Sequence, residues 1–234
     1  MARKAPLNSI ALIPDGNRRW ATSHKLSFLR GYSIGVEKFI RFSEWCKEFG
    51  VRNVTVWAFS TENIKRPKKE LSALFSIYRR AAKDKKILAR LHANKTRFNV
   101  IGDKDLLPKD LVNSLAVIER ETSKYKERVI NMLIGYGGKY DILAAVKKIA
   151  AEASIDKRLA ITEELFRRSL PSYSVPDIDL VIRTSGEERL SGFMPWQAGY
   201  AELIFPKKYW PEFTKSDLKA VMHEYDRRQR RFGV

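Results

Sequence analysis

A chain of 234 residues is long enough for one domain with a full hydrophobic core. Hydrophobic residues make up 44% of it and aromatics 11%, which excludes a disordered chain, and no apolar run reaches the roughly 18 to 20 residues of a membrane span. The formal net charge of +18 favours acidic partners: nucleic acid, anionic lipid headgroups or phosphorylated substrates. The single cysteine, Cys46, excludes a disulfide framework and a thiolate metal site, so a reducing cytosol is the expected compartment. The opening MARKAPLNS is basic but leads into only a short apolar run, a poor secretory signal.

Taken in order, strand-like runs are predicted at Ser9–Ile13, Val54–Phe59, Arg97–Ile101, Val129–Ile134, Leu180–Arg183 and Ala201–Phe205. Helical periodicity fills most of the gaps. Tyr32 to Phe49 carries Ile34, Phe39, Phe42, Trp45 and Cys46 near a 3.6-residue period. Glu70 to Leu91 reads as one long helix, with Leu71, Leu74, Phe75, Tyr78, Ala81, Ala82, Leu88 and Leu91 on one side. Asp110–Lys124, Tyr140–Glu152 and Ser216–Arg231 follow as further helices. Strand and helix alternating in this way predict an α/β fold: a central, mostly parallel six-stranded sheet with helices on both faces. In such sheets the ligand sits beyond the carboxyl ends of the strands.

Three of those ends carry the same chemistry. After Ile10–Ile13 come Pro14, Asp15, Gly16, Asn17, Arg18, Arg19 and Trp20. Glycine lets the backbone approach a ligand, the following N–H groups can face an anion, and guanidiniums match phosphate oxygens. A lone carboxylate opposes an anion unless it holds a metal, so Asp15 points to a magnesium diphosphate. The second end offers Ser60, Thr61, Glu62 and Asn63, with Arg66 and Pro67 close behind. The third offers Arg183, then Ser185, Gly186, Arg189 and Ser191, with Glu202 before the last strand. Together they predict a diphosphate or polyphosphate site. The alternatives fail on motif. Gly135-Tyr136-Gly137-Gly138-Lys139-Tyr140 lacks the spacing and hydroxyl of a P-loop, no G-x-G-x-x-G follows the first strand, and no G-x-S-x-G elbow appears. His24, His92 and His223 are too scattered for a histidine metal motif.

The charge concentrates between residues 79 and 97, where Arg79, Arg80, Lys83, Lys85, Lys86, Arg90, Lys95 and Arg97 face only Asp84. A solvated helix face is the plain reading; a peripheral membrane contact is the functional one. No helix-turn-helix, RNA-stacking or zinc signature accompanies the charge, so nucleic acid is not an expected partner.

These segments resemble the cis-prenyltransferases, the undecaprenyl diphosphate synthase-like enzymes. The resemblance runs through DGN-x-RW at Asp15–Trp20, Gly31 and Gly35, and AFSTEN-x-x-RP at Ala58–Pro67. It continues with YGG at Tyr136–Gly138, RTSGE-x-RLS at Arg183–Ser191, WQ at Trp196–Gln197, YAEL at Tyr200–Leu203 and RRFG near the C-terminus. It implies a single catalytic domain over residues 1–234, a homodimer, an apolar tunnel and a magnesium cofactor. The implied reaction joins isopentenyl diphosphate to an allylic prenyl diphosphate with a new cis double bond. By resemblance Asp15 works with magnesium and the allylic diphosphate, and Gly16, Asn17 and Arg19 form its cradle; Arg18, Trp20, Phe28 and Tyr32 are expected beside it as substrate-binding residues. Ser60, Thr61, Glu62, Asn63 and Arg66 shape the reacting centre, Asn63 sharing the catalytic role with Asp15. Arg183, Arg189 and Ser191 hold the isopentenyl diphosphate. Glu202 is the second magnesium carboxylate, expected at the same sheet edge as Asp15, and RRFG helps complete the site across the dimer.

The chain departs from the family pattern in places. The family often has glycine at Arg18, arginine at Phe28 and histidine at Tyr32, with Arg30 placed to compensate. Small residues are common where Leu133 and Ile134 stand, which predicts a shorter tunnel and product. Leu71, Leu74, Phe75 and Tyr78, with Met132 to Ile134, are the candidate tunnel wall. Other readings of the resemblance are a head-to-middle coupling of two allylic units and a silent partner subunit. The intact STEN segment with Arg189, Ser191 and Glu202 opposes the first; the retained Asp15, Glu202, Arg183 and Arg189 oppose the second.

Overall fold

The computed structural model describes residues 7–228. Six strands, β1 (Ser9–Ile13), β2 (Asn53–Ser60), β3 (Thr96–Ile101), β4 (Arg128–Tyr136), β5 (Leu180–Arg183) and β6 (Glu202–Ile204), form one sheet in the order β3-β4-β2-β1-β5-β6. Every neighbouring pair is parallel. The strand order turns between β1 and its neighbours, so the end of β1 lies where ligands collect in open α/β sheets. All five residues of β1 are buried, as a central parallel strand requires.

Alternation along the strands feeds two cores. Ile10, Leu12, Val54, Val56 and Ile130 pack with Phe42 and Cys46 of α2 (Phe28–Glu48) and with Leu218, Val221 and Tyr225 of α8 (Lys215–Arg227). Ala11, Ile13, Val181, Leu133 and Tyr136 pack on the other face with Val175, Ile178, Phe193 and Met194. A third cluster joins Phe59 and Ile134 to Leu74, Phe75 and Tyr78 of α3 (Lys68–Ala82) and Leu111 and Leu115 of α5 (Lys109–Thr122). α6 (Gly138–Ile155) follows β4, and its first turn is tied to that strand by the Tyr136 hydroxyl, which donates to Asp141 at 2.9 Å. Cys46 is fully buried, and burial pushes its thiol well up, so it is an inert core residue.

The predicted helix over 70–91 is two helices. α3 ends at Ala82 and α4 spans Lys85–Ala93. Asp84 causes the break: its carboxylate accepts from the Lys86 N–H at 2.8 Å and caps α4. An aspartate offers the backbone a local partner that competes with helix continuation. The break redirects Ile87 and Leu91 towards the cavity described below. Replacing Asp84 with alanine should cost about 1 kcal/mol of stability, read as a lower urea midpoint at unchanged slope.

Two short helices escaped the periodicity. α1 (Asn17–Ser23) starts directly after the first strand's turn, and α7 (Glu163–Ser169) is capped by Thr162, whose hydroxyl accepts from Leu165 N at 3.1 Å.

Candidate active site

The site begins with the turn after β1. Asp15 N–H returns to Ile13 O at 2.9 Å, and Asp15 O accepts from the Thr184 hydroxyl at 2.8 Å and from Trp210 N at 3.0 Å. The Asp15 backbone is therefore pinned from two later segments. Gly16 then adopts φ 96°, and a Cβ there would stand 2.5 Å from the Tyr209 ring, so only glycine fits. Asn17 is buried and donates to Pro14 O at 2.7 Å, holding the turn rather than a ligand. A Cβ at Gly31 would meet Asn17 O at 2.5 Å; its absence lets α2 cross α1 closely.

Beside Asp15 stand two positive groups. Arg183, at the end of β5, donates from Nη2 to Asp15 Oδ2 at 2.8 Å. Its Nη1 donates to Arg189 O at 2.6 Å and to the Ser191 hydroxyl at 3.0 Å. The side chain is 7% exposed and its Nε has no partner among the described residues. Arg19 lies 3.5 Å from Asp15 Oδ1, donates to Ser185 Oγ at 2.7 Å and to Glu187 at 2.7 Å, and sits over the Tyr209 ring. Hydrogen bonds from Arg19 and Arg189 hold the Glu187 carboxyl below the usual carboxylate range. The loop that carries these partners is strained: Ser185 and Ser191 adopt φ of 78° and 53°, uncommon for residues with a Cβ.

On the opposite rim are Ser60, Asn63 and Arg66. β2 shifts register against β4 twice, between Trp57 and Ser60, and then enters a 3-10 turn, Thr61–Lys65. Ser60 and Asn63 form a reciprocal capping box, Asn63 N donating to Ser60 Oγ at 3.2 Å and Ser60 N to Asn63 Oδ1 at 3.3 Å. With Oδ1 engaged, Asn63 presents its amide NH2 as the group available for chemistry. Arg66 donates to the Tyr32 hydroxyl at 2.9 Å and to Glu70 at 3.3 Å.

Between the two rims opens a cavity of about 560 Å³ that runs under α2, α3 and α4. Asp15, Gly16, Asn17, Arg18, Arg19, Tyr32, Ser60, Asn63, Arg66, Arg183 and Ser191 all line it, so the three strand ends do converge. Its body is apolar, walled by Val36, Phe39, Ile40, Tyr78, Phe98 and Met132 among others. Its far end is polar. Arg128, 8% exposed, donates to Ser43 O at 2.9 Å, and Arg90 pairs with Glu44 at 3.4 Å. Nothing in the periodicity marks Arg128; a charged residue opening a buried strand was the available signal.

Several expected site residues lie elsewhere. Trp20 stacks on His24, and Phe28 stands behind the cavity wall. Thr61 and Glu62 pack under the Tyr136–Gly138 turn, where a Cβ on Gly137 would meet Thr61 Oγ1 at 2.5 Å. Burial disfavours the Glu62 charge, but hydrogen bonds from its own backbone, Ser60 and Thr61 outweigh this and keep its carboxyl low. Arg189 is largely exposed and pairs with Glu187. Arg30 is exposed on α2 outside the cavity lining, so it does not compensate for Phe28. Arg18, read as a phosphate ligand, does line the cavity and is bonded there to Glu70, a residue the motif reading passed over. Of the expected tunnel wall only Tyr78 and Met132 line the cavity; Leu71, Leu74 and Phe75 belong to the α3–α5 core, Leu133 faces the other side of the sheet and Ile134 packs with α3.

Glu202 needs a larger correction. It opens β6 in register with Leu180 of β5, which is in register with Ile10, whereas Asp15 lies beyond Ile13. Parallel strands therefore put Glu202 at the amino edge of the sheet and Asp15 past the carboxyl edge. Glu202 pairs with Arg228 at 3.3 Å, and no cluster of three potential metal ligands exists among the described residues. The RRFG segment lies outside the described residues.

A parallel α/β sheet whose carboxyl edge gathers four guanidiniums, one carboxylate and serine hydroxyls over an apolar cavity defines an enzyme for amphiphilic phosphate esters. The family model described as putative undecaprenyl diphosphate synthase, a prenyltransferase, matches residues 13–233. The tritrans,polycis-undecaprenyl-diphosphate synthase (geranylgeranyl-diphosphate specific) of Pyrococcus horikoshii is 43% identical over 96% of this chain and 86% of its own. The isoprenyl transferase of Thermotoga maritima is 39% identical over 96% of this chain and 95% of its own. Lavandulyl diphosphate synthase from Lavandula x intermedia, solved with dimethylallyl diphosphate, superimposes with a TM-score of 0.92 at 31% identity, over 97% of this chain and 98% of that one. The chain belongs to the cis-prenyltransferase family and is a transferase.

Proposed function

We propose that the chain is one catalytic domain that extends an allylic prenyl diphosphate with isopentenyl diphosphate, giving a cis-polyprenyl diphosphate and pyrophosphate. The observation that carries this is the joining of a cationic mouth to an apolar cavity. A diphosphate head belongs in the first and a hydrocarbon tail in the second. The archaeal relatives' names point to geranylgeranyl diphosphate as the primer to test first.

In the reaction the allylic C–O bond breaks and pyrophosphate leaves with the electron pair. The isopentenyl double bond supplies the electrons of the new C–C bond, and a proton leaves the product. Arg19, Arg66 and Arg183 stand where negative charge grows, preorganised by their own partners. Their density answers a second need, since two diphosphates repel one another and must be held side by side. The strained Ser185–Ser191 loop aims Arg183 and Ser191 at the isopentenyl side, and Asn63 directs its NH2 towards the reacting centre.

Asp15 suits magnesium: it is a single part-exposed carboxylate among cations that attract diphosphate, and magnesium is usually held by one or two carboxylates plus substrate phosphates. When bound there, the ion would supply charge neutralisation on the departing pyrophosphate. Within one chain Glu202 is on the wrong edge of the sheet for that ion and could join it only from a second copy. Ile142, Leu143 and Val146, exposed along one side of α6, are the kind of apolar strip that supports a homodimer. Lys83, Lys85 and Lys86, exposed at the α3–α4 break, fit a peripheral contact with anionic lipid, where a long product could leave. No helix among the described residues is long and apolar enough to cross a membrane.

Release of pyrophosphate from geranylgeranyl diphosphate, dependent on added isopentenyl diphosphate, tests the reading; no release with any allylic primer sinks it. The cavity makes a further prediction. Ala82 lines it, and Ala82→Trp should shorten the product by filling the path of the chain. Leu133→Ala, on the opposite face of the sheet, should leave product length unchanged. Chromatography of dephosphorylated products reads both.

A further inference from the structure

Arg18 and Arg19 are neighbours on α1, yet the same device holds their guanidiniums on opposite sides. Arg19 donates to Glu187 and lies 5.6 Å over the Tyr209 ring. Arg18 donates to Glu70 and lies 5.5 Å over the Phe28 ring. In each case a carboxylate takes an edge of the planar cation and an aromatic ring takes its face. That combination fixes a side chain that otherwise samples many rotamers.

The Arg18 socket closes into a ring. Phe28 meets Tyr32 edge-to-face at 6.4 Å. The Tyr32 hydroxyl accepts from Arg66 Nη1 at 2.9 Å, and the same Nη1 lies 3.3 Å from Glu70 Oε1, the oxygen that also accepts from Arg18. Arg18, Tyr32 and Arg66 line the cavity, while Glu70 and Phe28 stand behind them. Glu70 is 9% exposed, and the Arg18 side chain is 53% exposed. Two guanidiniums share one carboxylate, so the ring keeps a net positive charge towards the mouth. Arg18 engages Glu70 through Nη2 alone, and a guanidinium has five N–H groups in all.

We propose that Glu70 and Phe28 are positioning residues that aim Arg18 at the diphosphate of the allylic substrate. The inference rests on the proposed prenyl transfer and adds to it: this rim has its own clamp, with the cation supplied by α1. Glu70 orients Arg18 and Arg66 together and keeps two like charges adjacent at this rim. Phe28 acts on Arg18 alone.

Steady-state kinetics of the wild type, Arg18→Gln, Phe28→Leu and the double variant test it, with pyrophosphate binding by calorimetry as a second readout. Arg18→Gln should raise KM for the allylic diphosphate about ten-fold or more, the range for one charged hydrogen bond, and leave KM for isopentenyl diphosphate nearly unchanged. Phe28→Leu should do the same to a smaller degree, and should add nothing in the Arg18→Gln background. Pyrophosphate affinity should weaken in parallel. Unchanged allylic KM in Arg18→Gln overturns the proposal, as does a Phe28→Leu effect that persists undiminished without Arg18. Glu70→Ala should raise the allylic KM further than Arg18→Gln, because Arg66 loses this acceptor as well; circular dichroism checks that it folds. A wild type that binds pyrophosphate with this Arg18 and Phe28 dependence but transfers no prenyl group overturns the proposed function and leaves the clamp standing.

Discussion

Asp15→Ala should lower kcat by about a hundred- to a thousand-fold, the scale of losing one preorganised electrostatic group from a transition state. Asp15 is the one carboxylate on the cationic mouth that faces both Arg183 and Arg19. Removing it takes away the proposed magnesium ligand and also frees Arg183 from the geometry that points it across the mouth. The fold should survive, because the Asp15 backbone bonds to Thr184 and Trp210 do not involve the carboxylate. Some stability should still be lost, about 1 to 3 kcal/mol, since Arg183 is 7% exposed and its Nε has no partner among the described residues. A circular-dichroism melt alongside turnover separates the two effects. A variant that melts near the wild type but does not turn over marks Asp15 as functional, and one that fails to fold marks it as structural.

Arg183→Met should be the most damaging single change at this edge. Methionine keeps the volume but removes three hydrogen bonds: to Asp15, to Arg189 O and to Ser191 Oγ. The Ser185–Ser191 loop loses the anchor that holds its positive-φ serines in place. Asp15, part-exposed and still beside Arg19, is left without its buried partner, so the stability loss should be about 1 to 3 kcal/mol, and kcat/KM for isopentenyl diphosphate should fall about a thousand-fold or more. The Asp15→Ala/Arg183→Met double variant should regain part of the stability, because neither partner is left alone, and none of the activity. Denaturant melts of the four proteins give the coupling. Additive stability losses would mean that the pair contributes nothing beyond its separate residues.

Strand positions were legible because a parallel sheet buried on both faces leaves continuous apolar runs, and Leu180–Arg183 and Ser9–Ile13 fall where predicted. The convergence of Asp15, Ser60, Asn63, Arg66, Arg183 and Ser191 was legible for a related reason: polar groups directly after such strands share one sheet edge. What failed depends on which way a side chain points. Leu133 and Met132 are adjacent in sequence but face opposite sides of β4, and only strand register decides which meets the cavity. Glu202 opens its strand and does not follow it, so the rule that located Asp15 places Glu202 at the other edge. The α3–α4 break was visible in Asp84, an N-cap residue in the middle of a basic run, and the periodic apolar pattern hid it. α7 carried a Thr162-Glu163-Glu164 start signal but is too short for the period to show. The Arg18 position on the rim was legible, but its partner Glu70 was not, since it lies 52 residues away and forms no motif with it.

Product analysis tests the central claim most directly. Labelled isopentenyl diphosphate is incubated with geranylgeranyl diphosphate and with shorter allylic primers, with magnesium and with a chelator, and the dephosphorylated products are separated by length. Linear products longer than the primer by whole isopentenyl units are predicted, dependent on magnesium and formed at least about a hundred-fold more slowly with Asp15→Ala. A branched product from two allylic units, or no incorporation with any primer, would contradict a mouth built to hold an allylic and an isopentenyl diphosphate side by side.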